Sequence, residues 1–277
     1  MGPCMISVII PAHDEARFIG ACLQALFASD ALAVPVEVIV VANGCTDATA
    51  GIARSFAATA RDAGWSLTVL DLPGLGKPGA LNAGDRAARY PARVYLDADV
   101  VVDPGLMAGL WAHLDRAAPA FASGRVRITG KGAVARAYAR LWARLPFMVR
   151  GVPGCGVYAV NAPGRARWGD FPPVISDDTY VRLHFAPAER HLAEAGYDWP
   201  VAEGFAALVR VRRRQDAGVV EIARAYPSLL ANDDKRPLGH GAALRLALSD
   251  PIGFLAYGGV ALAVRIVPAP KAWSRGR

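Results

Sequence analysis

The chain has 277 residues, 53% hydrophobic and 20% charged, with a net charge of +7. That length suffices for one large α/β domain or two lobes on a shared sheet, and the apolar content excludes a disordered chain. The four cysteines (Cys4, Cys22, Cys45, Cys155) form no CxxC pair and meet no histidine at zinc-ligand spacing, which points to reduced thiols in a cytosolic protein.

The charge is unevenly spread. Residues 1–120 carry 8 Lys and Arg against 12 Asp and Glu, while residues 121–277 carry 23 against 12. A basic second half suits an anionic ligand or a membrane surface, or simply a chain that keeps itself soluble with arginine. The start, MGPCMISVIIPAHDEA, lacks the basic opening and cleavage site of a secretion signal, so none is expected.

Along the chain, residues 7–11 form a short β-rich run. Residues 15–28 carry an apolar stripe of Phe18, Ile19, Cys22, Leu23, Leu26 and Phe27 at helical spacing. VEVIVV (36–41) is a continuous apolar strand of the kind buried on both faces of a parallel sheet. An Ala-rich helix follows, with Thr46 or Asp47 as its cap. Residues 67–70 make a third strand, LGKPGALNAGDRAARY a loop and then a helix, and residues 93–96 a fourth strand. Strands separated by helical patterns indicate βαβ units, an open and mostly parallel Rossmann-like sheet with helices on both faces. Ligands sit at the carboxyl ends of such strands, where this chain places its polar residues: Asp14 and Glu15, then Asn43, then Asp97 and Asp99.

The second half is less regular. Residues 131–149 read as one helix with Arg136, Arg140 and Arg144 on a basic side, and GVPGCGVYAVNAPG as loop, strand and loop. Residues 178–195 read as helix interrupted near Pro187, and 205–215 as a strand that turns basic. The apolar run 252–264 is too short to span a bilayer, which needs ~20 residues; 238–267 is read as packed helix or membrane-surface contact, with packing favoured.

Asp97 and Asp99 end a strand, where side chains two apart point the same way. Two hard oxygens aimed at one spot suit Mn²⁺ or Mg²⁺ completed by water and phosphate. The stretch GLGKPG is not a P-loop, because position 71 is Asp and Pro78 follows the lysine. No GxGxxG follows the first strand, which counts against a dinucleotide-dependent dehydrogenase.

Four blocks occur in order: SVIIPAHDEA, VIVVANGCTDAT, GLGKPGALNAG and YLDADVVVDPG. Together they resemble the family 2 glycosyltransferases, which have the GT-A fold. The resemblance covers roughly residues 5–215. It implies a GT-A glycosyltransferase domain over 1–235, with a nucleotide-sugar-binding half (1–105) and a smaller acceptor-side lobe (106–235), followed by a C-terminal helical extension (236–277). It implies a sugar transferred with inversion from a nucleoside diphosphate donor, UDP favoured, to a hydroxyl acceptor that is lipid-linked or a saccharide, in cell-envelope polysaccharide chemistry. Donor contacts would come from Pro11, His13, Asp14, Glu15, Asn43, Lys77, Asp97, Ala98, Asp99, Arg213 and Arg214, with Asp97 and Asp99 on the metal. Asn43 stands where the family usually has an acid, so an altered base preference is expected. Asp178, second of the Asp177–Asp178 pair, would be the general base, and Gly154, Cys155 and Gly156 would line the acceptor side.

Trp168, Phe171 and Trp199 could stack on a sugar, but core packing is the simpler reading, and His184 and His191 read as structural. The alternatives in view are a retaining sugar or nucleotidyl transferase on the same scaffold and a binding module that has lost turnover. A cytoplasmic protein is the expected setting, with peripheral contact at the inner face of the cell membrane as an option. Nucleic acid is not an expected partner, since no recognised motif accompanies the positive charge.

Overall fold

The computed structural model describes residues 5–266, so Cys4 and the last eleven residues lie outside it. Its elements in order are β1 (Ile6–Ala12), α1 (Ile19–Phe27), β2 (Val36–Asn43), α2 (Thr49–Ser55), α3 (Ala57–Asp62), β3 (Ser66–Leu72), α4 (Gly76–Ala87), β4 (Ala92–Leu96), β5 (Val101–Val102) and α5 (Leu106–Leu114). There follow β6 (Phe121–Thr129), α6 (Ala133–Trp142), α7 (Pro146–Arg150), β7 (Val157–Val160), α8 (Ala162–Arg165), α9 (Asp177–Arg182), a 3₁₀ turn (Pro187–Glu189) and β8 (Arg190–Pro200). The last elements are α10 (Phe205–Ala225), a second 3₁₀ turn (Pro227–Asn232), α11 (His240–Ser249) and α12 (Pro251–Ile266).

The eight strands lie in the order β3-β2-β1-β4-β7-β6-β8-β5. β1 runs parallel to β2, with Ile6 opposite Val36 and Ala12 opposite Ala42, and parallel to β4; β2 is parallel to β3. β7 then enters antiparallel to β4 and to β6. The α/β sheet with helices on its faces expected from the sequence is therefore present, its parallel part being the first four strands.

The chain divides into two compact units. The first holds the residues up to Arg125 together with Val152–Tyr197; the second holds Val126–Gly151 and everything from Asp198 onward. In the first unit β1 and β2 are buried along their whole lengths, which their β-branched runs allow. Glu37 is buried within β2, yet its carboxylate accepts from the Ser7 hydroxyl at 2.6 Å, the Arg89 amide at 2.6 Å and Arg89 Nε at 2.8 Å, so the charge is compensated. α4 packs Ala80 and Ala83 onto Ile39 and Val41. Its approach is close: a Cβ added at Gly84 would stand 2.4 Å from Ile9 Cγ2. In the second unit Tyr138 of α6, Leu208 and Val209 of α10 and Val260 of α12 share a core, with Trp142, Tyr257 and Val264 packed against it.

Three readings of the second half change. Residues 205–215 are not a strand but the first half of α10. The alternation Val209-Arg210-Val211-Arg212 imitates a period of two, whereas the residues α10 buries, Leu208, Val209, Gly218 and Ile222, repeat at helical spacing over four turns. Residues 190–195 are strand, not helix: sheet pairing overrides the helix preference of an Ala/Glu-rich run. The basic helix 131–149 is two helices, α6 and α7, divided before Pro146 at the first position of the second.

Candidate active site

Asp97 follows the last residue of β4, and its amide donates to the carbonyl of Gly156 at 2.8 Å. The Val100 amide donates back to the Asp97 carbonyl at 3.1 Å. Asp97, Ala98 and Asp99 therefore straddle a tight turn and do not continue the strand, so strand alternation does not govern where the two carboxylates point. Ala98 and Asp99 are buried, Asp99 being 6% exposed, while the Asp97 side chain is half-buried.

Lys77 stands in the first turn of α4. Its Nζ lies 2.8 Å from Asp97 Oδ1 and 2.9 Å from Asp177 Oδ1. Burial by itself would push this ammonium down; Asp177 and then Asp97 outweigh it and hold Lys77 well above the ordinary lysine value. One ammonium thus ties the turn after β4 to the first residue of α9, eighty positions on. Asp177 is buried and also accepts from the Tyr158 hydroxyl at 2.9 Å. Burial first, and then the Asp177 carboxylate, push the Tyr158 phenol well above its usual range, so it stays a donor. Asp178 is half-buried and accepts from the Thr179 amide at 2.6 Å. The two acids differ accordingly: Asp177 is held by Lys77 and Tyr158, and Asp178 is the more open to solvent.

The start of α4 is set by Asn43 at the end of β2. Its Oδ1 accepts from the Leu75 amide at 2.7 Å and its Nδ2 donates to the Gly76 carbonyl at 3.0 Å. With Asn43 only 5% exposed, its amide positions the helix that carries Lys77. The other residues expected on the donor side gather beside it. His13 Nδ1 donates to the Asn43 carbonyl at 2.6 Å. Asp14, at φ 54, accepts from the Thr46 amide at 2.6 Å, which leads the causes that lower its pKa. The Glu15 amide donates to the Thr49 hydroxyl at 2.8 Å. Pro11 lies within β1 opposite Val41 and is buried.

Gly154 and Gly156 take left-handed conformations, φ 72 and 81, that favour glycine; a Cβ at Gly154 would also sit 2.7 Å from Phe121 Cζ. Cys155 between them is buried, and its thiol is pushed up by burial and then by Asp178, so it remains protonated. Its carbonyl accepts from Tyr197 at 2.6 Å. Arg213 and Arg214 lie on α10 in the second unit, where Arg213 lines a groove of about 730 Å³ with Val220, Arg224 and Val264.

Sequence reasoning missed three supports. Tyr158 steadies Asp177, Tyr197 steadies the Gly154–Gly156 segment, and Asn82 makes paired hydrogen bonds to Phe171, its Oδ1 accepting from the amide at 2.6 Å and its Nδ2 donating to the carbonyl at 3.0 Å. The only advance signal was position, since Asn82 stands in the GKPGALNAG block and Tyr158 in the Gly-rich one. Trp168 and Phe171 pack in the core, and Trp142 meets Trp199 edge-on. His184 Nδ1 donates to the Tyr180 carbonyl, and His191 stacks on His113.

Fold and site together define a GT-A scaffold whose polar residues converge at the carboxyl ends of parallel strands. The glycosyl transferase family 2 model matches residues 7–166, and the chain belongs to that family. The 4,4'-diaponeurosporenoate glycosyltransferase of Staphylococcus aureus (strain USA300) is 38% identical over 97 residues, 34% of this chain; the match spans about a quarter (24%) of that relative's length. Among solved structures, the mannosyltransferase PcManGT from Pyrobaculum calidifontis, in complex with GDP-Man and Mn²⁺, superposes with a TM-score of 0.61 at 20% identity over 98% of this chain and 79% of that one. S. aureus TarS 1–349 in complex with UDP-GlcNAc gives 0.51 at 15% identity, over 94% and 81%. Glucosyl-3-phosphoglycerate synthase from Mycobacterium tuberculosis, in complex with Mg²⁺ and UDP, gives 0.52 at 18% identity, over 79% of each chain. At such identities the likeness is one of fold.

Proposed function

We propose that this protein transfers a sugar from a nucleoside diphosphate sugar, UDP favoured, to a hydroxyl acceptor with inversion at the anomeric carbon. The observation that carries the reading is the Lys77 bridge, 2.8 Å to Asp97 and 2.9 Å to Asp177, which joins the turn after β4 to the neighbour of the candidate base Asp178.

The donor set suits a hard divalent cation. Asp97 and Asp99 offer carboxylate oxygens from one turn, and beside them Lys77 sets one positive charge against Asp97 and Asp177. Asp97 and Asp99 would hold Mn²⁺ or Mg²⁺; once bound, such an ion neutralises charge growing on the leaving diphosphate. His13, Asp14, Glu15 and Asn43 shape the donor side at the ends of β1 and β2. Lys77 supplies a fixed positive charge beside the phosphates. The acceptor is read against the Gly154–Gly156 segment, whose backbone is held in place by close packing on Phe121 and by Tyr197, and a lipid-linked or saccharide hydroxyl fits this reading.

Asp178 takes the proton from the acceptor hydroxyl as its oxygen attacks the anomeric carbon. The bond from that carbon to the diphosphate oxygen breaks on the opposite face, and the nucleoside diphosphate leaves with the bonding pair. Asp177, already engaged by Lys77 and Tyr158, orients the start of α9. The free thiols Cys22, Cys45 and Cys155 accord with a cytoplasmic setting.

Calorimetric titration with UDP and with GDP, each with and without Mn²⁺, tests the reading. Metal-dependent binding of one nucleotide, lost in Asp99→Asn, is expected. Failure of every nucleoside diphosphate to bind would sink it, and a retained anomer in the product would remove the single displacement at Asp178.

A further inference from the structure

α12 is apolar on two opposite sides. Gly253 and Val260 are buried, and Ala256, Tyr257, Ala263 and Val264 pack with Val260 into the core of the second unit. On the other side Ile252, Leu255, Leu262 and Ile266, at helical spacing, are 58–73% exposed. α11 adds Leu244 and Leu248, spaced one turn apart and 62% and 76% exposed. A helix that packs one face ordinarily turns a polar face to water, so six large aliphatic side chains left exposed on two adjoining helices mark an interaction surface.

The charge around this surface identifies its occupant. From His240 to Ile266 the only acid is Asp250, which is buried and held by both nitrogens of the Arg140 fork at 2.7 and 2.8 Å. Arg245 and Arg265 are exposed among the aliphatic residues. The second unit as a whole carries 18 Lys and Arg against 7 Asp and Glu. A second copy would bring the same positive charge and be repelled. An anionic lipid surface offers negative headgroups and apolar depth at once, and two adjoining helices with aliphatic and basic side chains suit it. No helix among the described residues is long and apolar enough to cross a membrane.

We propose that the α11–α12 face docks on an anionic lipid bilayer, its aliphatic residues entering the headgroup boundary and its arginines meeting lipid phosphates. The inference stands apart from the transferase reading, because vesicle binding is measured without nucleotide. The purified full chain is floated with vesicles of phosphatidylcholine alone and of phosphatidylcholine with phosphatidylglycerol in equal parts. Wild type is expected on the mixed vesicles and about tenfold or more weaker on the neutral ones. Leu255→Glu/Leu262→Glu, at exposed positions, is expected to lose on the order of tenfold on the mixed vesicles while its circular dichroism melt stays native. If that variant fails to fold, Arg245→Glu/Arg265→Glu tests the same face through charge and should lose binding similarly. Absence of wild-type binding to the mixed vesicles, or a folded variant that binds as wild type does, overturns the proposal. So does a dimer in light scattering that the Leu255→Glu/Leu262→Glu change abolishes, since the face would then belong to a second copy.

Discussion

Asp177 and Asp178 are adjacent in sequence and unlike in surroundings. Asp177 is buried and takes Lys77 and Tyr158, so removing Lys77 leaves a carboxylate with a phenol as its remaining strong partner. Breaking a buried ion pair on one side costs roughly 3–5 kcal/mol, and the partial exposure of Lys77 reduces that. Lys77→Met is therefore expected to destabilise the protein by about 2 kcal/mol in urea unfolding. Asp178→Asn should behave oppositely: stability stays near wild type, kcat falls by about 10²–10⁴-fold, and donor affinity by calorimetry changes little. An Asp178→Asn protein that keeps wild-type kcat would remove the base assignment, and one destabilised as much as Lys77→Met would remove the contrast between the two acids.

At the scale of elements, α4 carries Lys77 and sits close on the sheet because Gly84 lacks a side chain. Alanine is the better helix former by about 1 kcal/mol, but a Cβ 2.4 Å from Ile9 Cγ2 in a packed core costs about 1–3 kcal/mol. Gly84→Ala should thus lower the melting temperature despite its propensity, and a rise would mean that the sheet yields there without strain. The junction of α11 and α12 responds to acid. Arg140, then the Gly253 amide, hold Asp250 down at about 2 from an ordinary 3.8. Its folded pKa is depressed, so its contribution to stability is complete above pH 3.8 and is lost as pH falls through about 2. The stability gap between wild type and Asp250→Asn should accordingly narrow as pH drops across that window, measured by urea unfolding at each pH. A gap independent of pH would show that Asp250 contributes through packing alone.

At the scale of the whole molecule, charge separates with the two units: the first carries 13 Lys and Arg against 17 Asp and Glu, the second 18 against 7. Exposed charges are screened over ~10 Å at 0.1 M salt, whereas close contacts in a partly buried site are screened less. Raising salt from about 0.05 to 0.5 M should weaken vesicle binding steeply and nucleotide binding only slightly. The reverse order would place the salt-sensitive contacts at the nucleotide.

The sequence by itself determined the parallel half of the sheet. Runs such as VEVIVV, short and rich in β-branched residues, read as buried strands, and polar residues beyond them mark the strand ends where ligands sit. Lys77 and Asp97 stood out within the ordered blocks, and Asp177 and Asp178 followed from the family resemblance that those blocks carry. The period of α10 was not legible from 205–215, since a basic alternating stretch satisfies strand and helix until a longer window shows which residues are buried. Nor was the strand character of 190–195, where sheet pairing outweighs local preference. Tertiary structure alone decided that Lys77 bridges Asp97 and Asp177, that Asn43 sets the start of α4, and that Tyr158 steadies the buried acid. These contacts join residues 19 to 100 positions apart, and local sequence holds no term for a distance that only the packed sheet defines.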